Sequence, residues 1–313
     1  MMKIILDVDC GIDDSLAILY MLGKKRDDIL GITSVFGNVD VDQSVDNVCR
    51  LLDLADAPED IAVVAGADIP VDGEWDGPVS AIHGKNGLGN VVLPVSGRKP
   101  LDVSVEDFLN DTMAKYPGEV TVITLGRLTN IANTLEKHPE FAQNVRNIVM
   151  MGGTLCHAGN VTPVAEANIA GDPLACDRVF CSGIDVTVVG LDVTMKTRLK
   201  RGHLESLRGH CGGKKEAVAE YLCSAFGYYF EGNRRQDGCI DDSPLHDPLA
   251  AIAVVRPELF TFQSLKARVE CGGSYCRGMV VTDRRAHPFD AEYVKFAVDV
   301  DAEGAVRELL SAF

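Results

Sequence analysis

Positive charge is in short supply in this 313-residue chain: 30 lysines and arginines stand against 46 aspartates and glutamates, a formal net charge of −16. A surface of that sign argues against nucleic acid and anionic membranes as partners, because both are bound through basic patches. Long apolar runs are missing as well. None reaches the roughly eighteen residues of a membrane-spanning helix, and the chain opens straight into KIILDV with no charged and apolar leader pattern. Ten cysteines are present, yet no two form a CxxC pair, so neither a zinc ribbon nor a thioredoxin-type site is indicated. Thiols scattered this way suit a reducing compartment, and the expected location is cytoplasmic. Repeats, low-complexity tracts and Pro/Gly/Ser linkers are also lacking, so a single domain over 1–313 is expected.

What is present is an alternation of short apolar runs with amphipathic segments. Strands are expected at 3–8, 29–36, 61–65, 119–125, 147–151 and 186–191, with helices at 13–21, 41–55, 105–116, 128–137 and 173–181 between them. Wholly apolar strands alternating with helices imply a parallel sheet covered on both faces. After about residue 195 the pattern changes. Helical stretches near 196–207 and 214–231 precede a helix start in PLHDPLAAIAVV, three closely spaced strands (FTFQSLKARVE, MVVTD, YVKFAVDV) and a last helix at 302–310. The fold class expected is α/β: an open, mostly parallel, Rossmann-like sheet with helices on both faces and an antiparallel element near the C-terminus. The longest irregular stretch, about 66–100, contains DGEWDGPVS and IHGKNGLGN, and loops of that length are often functional.

Residues 7–15, DVDCGIDDS, carry four carboxylates in eight positions. With 3–8 as the first strand, Asp9 to Asp14 form the loop at its carboxyl end, the edge where open α/β sheets bind ligands. Asp13 and Asp14 fall in the first turn of the next helix, where the helix dipole favours negative charge. That accounts for two of the four. A hard cation accounts for the others as well, since Ca²⁺ takes six to eight oxygen ligands and no His/Cys cluster competes for a softer metal. The run alone leaves two enzymes open, because DVDCG also resembles the nucleophile loop of haloacid-dehalogenase-type phosphatases. There Mg²⁺ is the metal, Asp7 would be the nucleophile and Asp9 the acid, with Asp241–Asp242 as the later acidic motif.

The rest of the chain separates them. D-x-D-x-G-x-D-D resembles the N-terminal signature of nucleoside hydrolases, the inosine–uridine-preferring family that cleaves ribonucleosides to ribose and free base. FGN at 36–38, TLGRLTNIA at 124–132, VMMGG at 149–153, GNVTPVAEANIAGDP at 159–173 and LHDPLA at 245–250 follow in the family's order. The resemblance implies Ca²⁺ bound by Asp9, Asp14, Asp247 and the main-chain carbonyl of Leu125. It implies ribose 2′- and 3′-hydroxyls held by Asp13, Asn38, Asn168 and Asp247, the 5′-hydroxyl by Asn160 and Glu166, and Met151 against the sugar. Asp9 is then the general base for the attacking water, and His246 the acid beside the leaving base. His83 in IHGKNGLG, with Tyr228, Tyr229 and Arg234 in GYYFEGNRR, are further candidates for the base. A homodimer or homotetramer is implied too.

Each position also has a plainer explanation. Asp247 before Pro248 and Asp172 before Pro173 fit helix starts, and Thr129 and Asn130 fit a strand-to-helix turn. A protein that binds nucleosides without turnover is a third possibility. One departure from the family is Cys10, where proline is common; a looser loop is expected, and a thiol among aspartates is poorly reactive.

Overall fold

The computed structural model describes residues 2–208, 214–238 and 241–313. Among the described residues eleven strands are formed: β1 Lys3–Val8, β2 Ile29–Ser34, β3 Ala62–Ala65, β4 Val120–Thr124, β5 Asn147–Met151, β6 Val186–Val189, β7 Arg198–Lys200, β8 Asp242–Pro244, β9 Phe260–Val269, β10 Val280–Asp283 and β11 Tyr293–Val300. Nine of them make one sheet in the order β10-β9-β11-β6-β5-β4-β1-β2-β3, and β7 with β8 makes a separate two-stranded ladder. From β3 to β11 the neighbours run parallel, whereas β9 lies antiparallel to both β11 and β10. The class expected from the sequence is the class observed.

The period of two along each strand sorts the apolar residues into two cores. Ile4, Leu6 and Val8 of β1 join Ile123 of β4 and Val149 and Met151 of β5 in one cluster. Their neighbours Ile5, Val122, Ile148 and Met150 join the other. The first face is covered by the helices Ile12–Lys25, Val41–Leu54, Lys214–Asp237, Asp247–Val255 and Ala302–Leu310; the second by Val105–Lys115, Thr129–Lys137 and Pro173–Phe180. Burial on both faces is why these strands read as unbroken apolar runs.

The chain builds β2 and β3 on one side of β1, then returns to build β4, β5 and β6 on the other. The order therefore reverses between β1 and β4, and the carboxyl ends of those strands open a crevice between diverging loops. Two corrections concern local structure. The stretch 196–207 is not one helix: Arg198–Lys200 pairs with Asp242–Pro244, Arg198 meets Asp242 at 2.7 Å, and only Arg201–Glu205 is helical. Pairing with residues more than forty positions away overrides the local pattern. The helix expected at PLHDPLAAIAVV starts only at Asp247, because Pro244 belongs to β8. Among the described residues no helix is long and apolar enough to cross a membrane.

Candidate active site

The crevice is a cavity of about 490 Å³. It is lined by Asp13, Asn38, His83, Leu125, Met151, Asn160, Glu166, Asn168, His246 and Asp247, ten positions drawn from seven separated segments of sequence, together with Tyr229. Asp9 and Asp14 are fully buried at its floor. Tyr228 and Arg234 stay outside: the Tyr228 hydroxyl donates to the Ser80 carbonyl at 2.9 Å, and exposed Arg234 pairs with Glu231 at 2.8 Å. They share a helix with Tyr229, but successive positions on a helix face different directions.

The turn after β1 is held by its own aspartate, since Asp14 Oδ2 accepts from the Gly11 N–H at 2.8 Å. Asn47 Nδ2 donates to the Cys10 carbonyl at 3.1 Å, so the neighbouring helix pins the turn that lacks a proline. The Cys10 thiol is buried and its pKa pushed well up by that burial. Asp9 is engaged by three donors: Asn38 N–H at 2.9 Å and Arg127 Nη1 on Oδ2, and Asn38 Nδ2 at 3.1 Å on Oδ1.

Asp13, Asp14 and Asp247 bring carboxylate oxygens within 4.8 Å of one another. Burial pushes all three carboxyls up, and neighbouring aspartates push Asp14 and Asp247 further. Asp13 Oδ1 is buried with no hydrogen-bond partner. Three desolvated carboxylates and an orphaned oxygen fit a cation, and an all-oxygen donor set fits a hard one. Asp9 stands beside this trio rather than within it. The Leu125 carbonyl is at the cavity and accepts from Asn168 Nδ2 at 2.7 Å.

Other residues have structural duties as well. Glu166 caps the helix Ala167–Gly171 through the N–H groups of Asn168 (2.9 Å) and Ile169 (3.3 Å), and also accepts from Gly153 N–H at 2.8 Å. Asn160 Oδ1 accepts from Ala167 N–H at 3.0 Å, and Asn168 Nδ2 touches Met151 Sδ at 3.4 Å. Asp247 makes no cap hydrogen bond, His246 being the cap position. Asp172 does cap its helix, accepting from Ala175 N–H at 3.1 Å.

Two histidines line the cavity. Burial pushes each down to about 4, against Asp9 for His83 and against Asp13 for His246, so both are neutral near pH 7. His83 Nδ1 accepts from the Ile12 N–H at 3.1 Å, which leaves Nε2 to carry its proton. His246 Nδ1 lies 2.9 Å from Thr194 Oγ1.

Asp7 is elsewhere. It is fully buried away from the cavity, its Oδ1 accepting from Thr33 Oγ1 (2.5 Å) and Asn130 Nδ2 (2.7 Å), and burial raises its carboxyl to about 7. A nucleophile there cannot reach a substrate, which removes the phosphatase reading. Sequence reasoning missed Arg127 and Trp75. Trp75, in the long loop, packs edge-on against Phe36 and donates to the Gly37 carbonyl at 3.3 Å. Arg127 was hidden in GRLTN, whose Thr129 and Asn130 do hold the turn together through Asp172 and Asp7.

Comparison with known proteins agrees with this geometry. Residues 4–307 match the family model described as inosine-uridine preferring nucleoside hydrolase. Uridine nucleosidase 1 of Arabidopsis thaliana is 42% identical over 312 residues, covering 97% of this chain and 91% of that protein. The solved plant nucleoside hydrolase PpNRh1 superimposes with a TM-score of 0.92 at 36% identity, over 99% of this chain and 98% of its own. The purine-preferring ribonucleoside hydrolase from Gardnerella vaginalis does so with a TM-score of 0.90 at 33% identity, over 99% and 97%. Fold, cavity and whole-length likeness converge: this chain belongs to the inosine-uridine preferring nucleoside hydrolase family and is a hydrolase acting on N-glycosyl compounds.

Proposed function

We propose that this protein is a Ca²⁺-dependent ribonucleoside hydrolase in which Asp9 serves as general base. The observation that carries the reading is the meeting of Asp13, Asp14 and Asp247 carboxylates beside Asp9 at the floor of a nucleoside-sized cavity. Bound there, the cation supplies Lewis acidity toward a vicinal diol and the attacking water. Leu125, through its carbonyl, belongs to the same ligand set, with Asp9, Asp14 and Asp247.

Breaking an N-ribosidic bond builds positive charge on the sugar ring and negative charge on the departing base. Asp13, Asn38 and Asn168 hold the ribose hydroxyls, which fixes the sugar before reaction and removes motional freedom in advance. Asn160 and Glu166 take the 5′ end, with Met151 against the sugar. The carboxylates favour the ring cation electrostatically. Asp9, held by Asn38, takes the proton of water. His246, lining the cavity with His83, is the acid for the leaving base: once protonated to the imidazolium, which Asp13 favours, it hands that proton to the departing nitrogen and returns to the neutral ring.

The sheet shared by elements from both ends of the chain supports one domain over 1–313. Eight free cysteines among the described residues support a reducing, cytoplasmic setting, and the family resemblance supports a homo-oligomer. The decisive experiment assays a panel of purine and pyrimidine ribonucleosides for free base, with and without a calcium chelator. Release that chelation abolishes and calcium restores is the expected result. Nucleoside binding by calorimetry without free base would leave a binding protein instead.

A further inference from the structure

Among the described residues two cationic side chains line the cavity, and they differ in kind. Arg277 sits at the rim with its guanidinium against the Ala170 carbonyl at 3.3 Å. Arg127 is only 7% exposed and donates through Nη1 to Asp9 Oδ2. Its Nε is buried with no hydrogen-bond partner. The backbone makes room for it: a Cβ on Gly171 would lie 2.7 Å from Arg127 Nε, and one on Gly37 would overlap both Nη1 and the Asp9 carboxylate. The Phe36 ring lies 5.9 Å from the guanidinium carbon.

A buried guanidinium with an unsatisfied donor is costly, and a structure keeps one where it offsets a larger cost. Four buried carboxylates, Asp9, Asp13, Asp14 and Asp247, crowd this floor, and among the described residues Arg127 is the lysine or arginine in direct contact with any of them. Its grip also marks where Asp9 stands. Asp13, Asp14 and Asp247 converge within 4.8 Å, whereas Asp9 is turned with Oδ2 toward Arg127 and Oδ1 toward Asn38.

We infer that Arg127 is a resident counter-ion of Asp9, which a divalent cation must displace from that carboxylate on binding, so that Arg127 sets the metal affinity of the site. This rests on the calcium reading above. Two positive charges compete for one carboxylate, and each also repels the other across a dry site. Coupling between close, desolvated charges is large enough to change an affinity by about tenfold or more. Arg127 is thus a positioning residue, acting through Asp9 and keeping the metal-free floor from carrying four uncompensated charges.

The test is calorimetric titration of calcium into chelator-stripped protein: native, Arg127→Leu, Asp9→Asn and the double variant, with Arg127→Gln, which keeps a polar donor, in case leucine prevents folding. Calcium should bind about tenfold or more tightly to Arg127→Leu or Arg127→Gln than to native protein. The gain should vanish when Asp9 is already Asn, and the metal-free melting temperature should fall more than the calcium-saturated one. Equal or weaker calcium binding by both Arg127 variants would overturn the inference, as would an undiminished gain in the Asp9→Asn background. Native protein that binds no calcium would overturn the metal reading and the counter-ion with it. A native protein that binds calcium with variants that do not differ overturns the counter-ion alone.

Discussion

The hydroxyl of Tyr229 donates to Asp13 Oδ2 at 3.0 Å, joining residues 216 positions apart at the cavity wall. Tyr229 is a sequence candidate for contact with the base, and its ring does lie beside His83, with centroids 5.6 Å apart. Its hydroxyl, however, is committed to the aspartate expected to hold the sugar. Removing a hydrogen bond to a buried charged group costs about 1.5–3 kcal/mol. Tyr229→Phe should therefore lower the melting temperature by a few degrees and, with Asp13 no longer held, lower kcat/KM by about tenfold or more. Unchanged kinetics would show that the hydroxyl does not orient Asp13.

His246 tests the leaving-group half of the reaction. Burial lowers it to about 4 while the Asp13 carboxylate pulls the other way, so the acid role requires His246 to be protonated to the imidazolium in the substrate complex. His246→Ala should slow inosine turnover by about a hundredfold or more, and turnover of a nitrophenyl riboside, whose leaving group needs no proton, far less. Equal losses on the two substrates would remove the acid role.

Asp14 tests the floor. Burial and then Asp9 push its carboxyl well up, so the folded metal-free protein binds a proton there more tightly than the unfolded chain does. Stability from this group is therefore full below the ordinary carboxylate range and is lost as pH rises above it. Asp14→Asn should raise the metal-free melting temperature at pH 8 and abolish the rise that calcium gives native protein. A variant that melts lower without metal, or still gains stability from calcium, would contradict this.

Asp177 works in the opposite sense, away from the cavity. Burial alone would raise its carboxyl, but Arg268, donating at 2.8 and 2.7 Å, and Val269 N–H at 2.9 Å outweigh that and hold it below the usual range. The stabilisation is present above the ordinary carboxylate pKa and fades as pH falls through the lowered one. Asp177→Ala should cost about 1–2 kcal/mol at pH 7, the lower end because Arg268 is half exposed. Denaturant melts of both proteins should converge toward pH 3; a constant gap would assign the loss to packing.

Much of this architecture is legible in the sequence because its strands are short, apolar and buried on both faces, a pattern that helices cannot imitate at that length. The run 196–207 misleads because a three-residue strand has no period of its own, and β7 exists only through its pairing with β8. Among site residues, the aspartates of DVDCGIDDS are legible as a group. Asp7 and Asp9 look alike there, yet one is tied to Thr33 and Asn130 and the other faces Asn38 and Arg127. Tyr228 and Tyr229 are separated in the same way, by which side of their helix meets the cavity.

The chain's own order of residues determined the sheet class, the carboxyl-end loop that carries the acids, and the family to which its motifs belong. These are written in periodicity and spacing, which are local. Only the tertiary structure decided that Asp13, Asp14 and Asp247 converge while Asp9 is held by Arg127. Charge interactions depend on separation and on the exclusion of water, and neither exists until segments more than a hundred residues apart have packed together.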